Sequence, residues 1–261
     1  MNILDKIVAR KLEEVAEAKQ KVSFAELEAN PNFNRKPLVF KDFLLDENRT
    51  GIISEFKRRS PSKGLINGKA DVSEVTQAYN AAGASALSVL TDTDFFGGKA
   101  EDLFQARAVN DIPILRKDFM IDEYQILEAK AWGADIILLI ASILTPQQVS
   151  DFGKLAQSLG LNVLLEVHDL EELERSICPN LDAIGVNNRN LGDFTVNIQT
   201  SFDLVNKIPN EFLKISESAI DNPQVIKELK AVGYNGFLIG ENFMKTDDPG
   251  LAIRHFVKFL H

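Results

Sequence analysis

Eight short apolar runs, spaced at roughly 20 to 35 residues, set the strongest limit on what this chain can fold into. They are GIISEFK (51–57), ALSVLTD (86–92), IPILRKD (112–118), DIILLIA (135–141), NVLLEVH (162–168), DAIGVNN (182–188), FLKISES (212–218) and GFLIGEN (236–242). Each is followed by a stretch of helical periodicity, such as DVSEVTQAYNAAGA, DEYQILEAKAWGA or NPQVIKELKAVGY. These three examples open on a capping or acidic residue and close at a glycine ahead of the next run. Strands that alternate with helices lie parallel, because each helical crossover returns the chain to the same end of the sheet. Eight such units with no break in composition predict an α/β fold, the closed (β/α)8 or TIM barrel. A length of 261 residues suits one such domain over 1–261. An open, doubly wound sheet is the alternative, and the lack of G-x-G-x-x-G after the first run argues against it.

Residues 1–48 form an extension ahead of the first strand. Over 3–27, Ile3, Leu4, Ile7, Val8, Leu12 and Val15 recur at helical spacing, and NPNFNRKP then breaks the pattern.

The formal net charge of -9 argues against a nucleic-acid binder and isolates the Lys57-Arg58-Arg59 cluster on an acidic chain. The opening MNILDKIVARKLEEV carries Asp5 and Lys6 where a secretory signal needs apolar residues, and the longest apolar run, IILLIASIL at 136–144, is too short to cross a bilayer. A single cysteine, Cys178, allows no intrachain disulfide and offers no metal-type spacing, in keeping with a reducing compartment. A soluble, cytoplasmic protein with no nucleic-acid or membrane partner is expected, with a monomer as the working state.

In a parallel barrel the strand interiors are apolar and the active site lies at the strands' carboxyl ends. Polar residues end nearly every run: Glu55 and Lys57, Asp92, Lys117, Ser142, Glu166, Asn187 with Arg189, Glu217 with Ser218, and Glu241. Residues two apart on a strand share a face, so Glu55 and Lys57 enter the barrel mouth together, as do Asn187 and Arg189. Asp92 and Ser142 stay open between the site and a solvated loop. Glu166, set in VLLEV, and Lys117, after IPIL, are charges that burial would make costly unless each is paired. After the last two strands, SESAIDNP and IGEN place small residues where this fold commonly holds a phosphate, so a small phosphorylated substrate is expected.

Six segments in this order, SEFKRRSPSKG, ILRKDFMID, LLEVHDLEEL, IGVNNRNL, ISESAI and FLIGENFM, resemble the indole-3-glycerol-phosphate synthase family of tryptophan biosynthesis over essentially the whole chain. The resemblance implies a cofactor-free and metal-free lyase that converts 1-(2-carboxyphenylamino)-1-deoxyribulose 5-phosphate to indole-3-glycerol phosphate, with loss of carbon dioxide and water. It places the general acid on Lys117, the general base on Glu166 and a second catalytic lysine on Lys57, with Glu55 and Asn187 beside them. Ser60, Arg189, Glu217 and Ser218 fall on further polar positions, and Phe96 and Phe119 on aromatics that flank the anthranilate ring. Ala219 stands where a glycine is usual but still offers its backbone N–H. The amides of Gly240 and Glu241 are expected to bind phosphate, with the Glu241 side chain pointing away.

On this reading Glu55 holds Lys57 by an ion pair and Arg58 faces outward, while SPSKG begins a loop that closes over the mouth. Apolar neighbours are expected to raise the Glu166 pKa. His168 reads as a supporting or solvated residue. The alternatives are another phosphate-binding barrel enzyme, such as phosphoribosylanthranilate isomerase, or a non-catalytic barrel that serves as a binding subunit. The isomerase would call for a cysteine and an aspartate at strand ends, and Cys178 lies elsewhere; the binding subunit has no need of Lys117 and Glu166.

Overall fold

In the structure, a computed structural model that describes residues 3–190, 192 and 194–260, each of the eight apolar runs supplies one strand. These are β1 (Ile52–Phe56), β2 (Ala86–Leu90), β3 (Ile114–Lys117), β4 (Ile136–Ile140), β5 (Asn162–Val167), β6 (Ala183–Asn187), β7 (Leu213–Glu217) and β8 (Gly236–Ile239). Each pairs in parallel with the next, and β8 closes on β1 with Ile52 opposite Phe237. The strands are shorter than the runs because their polar ends leave the ladder to enter the loops.

Strand parity divides the side chains into two cores. Ile52, Phe56, Val163, Leu165, Val167, Ile184 and Val186 face outward into the layer shared with the helices. Ile53, Ala86, Leu115, Ile136, Leu138, Leu164, Ala183, Leu213, Ile215 and Leu238 face inward and fill the barrel. Continuing the inward parity by two residues leads to Glu55, Lys117, Glu166, Asn187 and Glu217 at the carboxyl end. A leucine at the buried positions of Glu55, Glu166 or Glu217 would contribute about 2 kcal/mol through burial. Charged groups in their place mark a layer kept for chemistry rather than stability.

The crossover helices follow from local signals. Glu123–Trp132, for example, starts at an Asp122 capping box and ends at Gly133, whose φ of 90° is left-handed. Two helices follow β8, Glu241–Met244 and Pro249–Val257, where the sequence suggested one; Asp248 caps the second and Pro249 opens it.

The amino-terminal extension wraps the barrel from end to end. Helix Ile3–Lys21 crosses the carboxyl-end mouth, and its buried Lys11 reaches the ends of β2 and β3. The continuous helix expected over 3–27 is broken, because Ser23 forms a capping box with Glu26 and starts a separate helix, Phe24–Glu28. Farther on, Phe40 and Leu44 from helix Phe40–Leu44 plug the opposite end of the barrel. Among the described residues no helix is long and apolar enough to cross a membrane.

Candidate active site

The inward positions of β3, β5 and β7 bring three ionisable groups together at the barrel mouth. Lys117 Nζ lies 2.8 Å from Glu166 Oε2 and 3.9 Å from Glu217 Oε2. Burial alone would discharge the Lys117 ammonium, but Glu166, Glu217 and Glu55 outweigh it and hold the pKa above the usual lysine range. Burial would likewise raise Glu166, yet Lys117 and then His168 hold it well below the ordinary carboxylate range. The sequence reading, a Glu166 pKa raised by apolar neighbours, is therefore corrected: the ammonium beside it decides the sign. The raised carboxyl is Glu217, pushed up by burial and then by the Glu166 charge, since two adjacent carboxylates sharing one lysine cannot both ionise freely. Within the trio the lysine is held charged, Glu166 is held ionised, and Glu217 is the carboxyl driven toward its neutral form.

Two inward glycines make room for the carboxyls. A β-carbon on Gly185 in β6 would overlap Glu217 Oε1, and one on Gly240 after β8 would overlap Glu55 Oε1. Glycine within or just beyond a strand is a signal of close approach, and the sequence reading did not use it for Gly185.

Glu55 and Lys57 enter the mouth together and form an ion pair of 2.6 Å. Arg58 turns away from the cleft but is not free: it reaches Asp102 on helix Ala100–Val109 through both guanidinium nitrogens and stacks 4.7 Å over Phe56. The following loop folds as a small hairpin, with Arg59–Ser60 antiparallel to Gly64–Leu65, so that Ser60, Pro61 and Ser62 line the cleft.

Asn187 organises the far side. Its Nδ2 donates to Glu166 Oε1 at 3.1 Å, while its Oδ1 accepts from the Ser218 hydroxyl at 2.9 Å and the Arg189 amide at 3.0 Å. Ser218 and Ala219 both adopt left-handed backbone, with φ of 66° and 61°. A non-glycine residue pays for that conformation, which explains why glycine suits position 219. These two residues, Gly240, Glu241, Asn242 and Arg189 line a second lobe of about 710 Å³ that adjoins the main cleft of about 890 Å³. The Glu241 side chain does not point away as expected; its carboxylate lies 3.4 Å from Arg189 and 3.6 Å from Lys63, because those two cations are the nearest partners for its charge.

Phe96 and Phe119 flank the cleft with ring centres 5.8 Å apart and planes tilted by 38°. The sequence reading missed the roof above them, formed by Ile3, Leu4 and Ile7 of the amino-terminal helix. A signal was present in Lys11, which falls between Ile7 and Val15 on the helix's apolar stripe. Lys11 is buried against Asp118 at 2.9 Å and Asp92 at 3.0 Å. Asp92 also accepts the amides of Phe95 and Phe96, so it is a strut that positions the aromatic wall and not a group in the cleft. Ser142 and His168 line an outer cleft that borders the main cleft at Leu4, Asn187 and Arg189. Among the described residues no group of three or more His, Cys, Asp or Glu is arranged to hold a metal ion.

A closed (β/α)8 barrel whose strand ends carry a lysine beside two buried carboxyls, with a polar lobe after β7 and β8, has the architecture of the phosphate-binding barrel enzymes. The indole-3-glycerol phosphate synthase family matches residues 4–256. An indole-3-glycerol phosphate synthase of Bacteroides thetaiotaomicron is 47% identical over 257 residues, 98% of this chain and 98% of that protein. The chain belongs to the indole-3-glycerol phosphate synthase family. Thiamine phosphate pyrophosphorylase from Pyrococcus furiosus, at 17% identity and a TM-score of 0.60, shares the fold over 82% of this chain and 96% of its own. KGPDC from Streptococcus mutans does so at 12% identity and 0.61, over 80% and 96%.

Proposed function

We propose that the cleft closes the indole ring of indole-3-glycerol phosphate with the following division of labour. Lys117, kept as an ammonium, donates to the substrate's ketone oxygen while the aromatic carbon attacks, and so stabilises the charge that develops there. Carbon dioxide then leaves the ring. Glu166, kept ionised by Lys117 and oriented by Asn187, takes the proton that must depart as water is expelled. Lys57, steadied by Glu55, meets the anionic carboxylate of the substrate. Glu217, neutral at pH 7, offers a hydrogen-bond donor without adding charge.

The substrate ring is held by apolar contact. Phe96 and Phe119 already touch each other, so a ring docks against their shared face, under Ile3 and Ile7, and not between them. The phosphate occupies the second lobe, where the turn after β7 and the start of the helix after β8 bring Ser218, the Ala219 and Gly240 amides and Arg189 around it, with Ser60 at the edge of the adjoining main cleft. Its arrival competes with Glu241 for Arg189.

The observation that supports this reading is the 2.8 Å contact between Lys117 and Glu166, close enough for an acid and a base to serve one reaction centre. The direct test is to supply synthetic 1-(2-carboxyphenylamino)-1-deoxyribulose 5-phosphate and follow indole absorbance and fluorescence. Turnover that Lys117→Ala abolishes supports the assignment; turnover that survives it removes Lys117 from the chemistry.

A further inference from the structure

The ring-closing reaction consumes a proton. The substrate's ring carboxylate departs as neutral carbon dioxide, and its ketone oxygen departs as water. That water carries two hydrogens, of which the substrate's own CH₂ supplies one. Each turnover therefore imports one proton from solvent. Lys117 and Glu166 can exchange a proton between them, but neither can make up the deficit, and bound substrate fills the cleft in front of them.

Behind Glu166 lies a different route. His168 is the next inward position beyond Glu166, and its Nε2 is 3.4 Å from Glu166 Oε1, buried and without a hydrogen-bond partner among the described residues. Its Nδ1 is 3.0 Å from Glu172 Oε2, which also accepts the His168 backbone N–H at 2.8 Å. His168 and Glu172 line the outer cleft of about 960 Å³, together with Ser142, Asp169 and Asn188. The charged groups around the imidazole are Glu166 and Asp169 next to it in the chain, Glu172 on helix Leu170–Ser176, Lys117 on β3, and Arg189 after β6.

We propose that His168 is the proton port of the acid–base pair, a positioning and relay residue that acts through Glu166. The imidazolium Nε2–H bond breaks as a proton passes to Glu166 Oε1. A half-turn of the carboxyl presents that proton to the Lys117 amine, which becomes an ammonium again. The neutral ring then swings into the outer cleft, takes a proton from water and returns to Glu172. Burial lowers the proton affinity of the imidazole, but the Glu172 hydrogen bond and the Glu166 charge raise it above its usual value.

The proposal rests on the assignment of Lys117 and Glu166, and its test separates the two. His168→Gln keeps an amide near Glu166 but cannot carry a proton. It is expected to lower kcat by about 100-fold with KM unchanged, to abolish the fall of kcat as pH rises through the imidazole range, and to recover with added free imidazole. Glu172→Gln removes the charge that holds the imidazole proton and is expected to move that fall to lower pH. A parental kcat and pH profile in His168→Gln, a loss that imidazole does not restore, or an unmoved profile in Glu172→Gln overturns the port. Run alongside, Glu166→Gln with parental turnover overturns the underlying assignment instead.

Discussion

Lys117 and Glu166 are each other's ion pair, 2.8 Å apart on strands β3 and β5, so the proposed acid is charged because the base is ionised, and the converse. Removing either changes the protonation of the other, yet the two variants fail at different steps. Lys117→Ala leaves the ketone oxygen without its cation, and single-turnover experiments should show ring closure slowed by about 1,000-fold or more, with no carbon dioxide released. Glu166→Gln still permits closure and decarboxylation, so carbon dioxide should appear ahead of indole absorbance. The two signals rising in step at the parental rate would transfer the base role to another carboxyl.

Glu217 ties stability to pH. Its folded pKa is raised to about 8, first by burial and then by Glu166, from an ordinary value of 4.5. The folded state therefore binds this proton more tightly than the unfolded chain does. The stability it contributes is complete below pH 4.5 and is lost as pH climbs to about 8. Glu217→Gln cannot ionise, so urea unfolding should show it gaining on the parent between pH 5 and pH 8, by about 3 kcal/mol over that span. Parallel pH–stability curves would mean that the carboxyl is already charged in the fold.

Ala219 holds left-handed backbone at φ 61°. Ala219→Gly relieves the β-carbon clash and loosens the unfolded chain, for a net gain of about 0.5 kcal/mol. The amide that faces the second lobe is retained, so KM should stay within about twofold of the parent. A raised KM in the glycine variant would show that the methyl group itself shapes the phosphate lobe.

Lys11 pins the roof. Lys11→Met leaves Asp92 and Asp118 buried with one partner fewer, and the protein should lose about 3 kcal/mol in chemical unfolding. Because Asp92 also fixes Phe96, and Ile3 and Ile7 ride on the same helix, KM should rise as the ring pocket loosens. An unchanged KM beside the stability loss would separate the roof from substrate binding.

The barrel was readable in the sequence because each strand lies in a short, mainly apolar run and four of the seven crossovers close at a glycine, Gly83, Gly133, Gly160 and Gly233; nothing distant was needed to see β1 or β8. The inward layer was readable for the same reason, since a period of two from Ile53 leads to Glu55, and from Leu164 to Glu166. What stayed hidden depends on contacts between distant parts of the chain. The sign of the Glu166 shift needed Lys117 on another strand. Glu241 was expected to turn from the mouth, and only the convergence of Arg189 and Lys63 shows why it stays. Arg58 could be sent out of the cleft from parity alone, but its partner Asp102 lies on a helix after β2. Ile3, Leu4 and Ile7 gave a helical period and no hint of which surface that helix would cover.

Gly185 carries a hereditary consequence. It contributes no atom to the chemistry and matches no catalytic pattern, yet the space it leaves empty is where Glu217 sits. A lineage could keep every lysine and glutamate of this mouth, acquire one alanine at position 185, and push the Glu217 carboxyl out of its present place while its catalytic signature stayed intact. Whether a distant barrel of this kind can still close an indole ring is thus written partly in a missing methyl group.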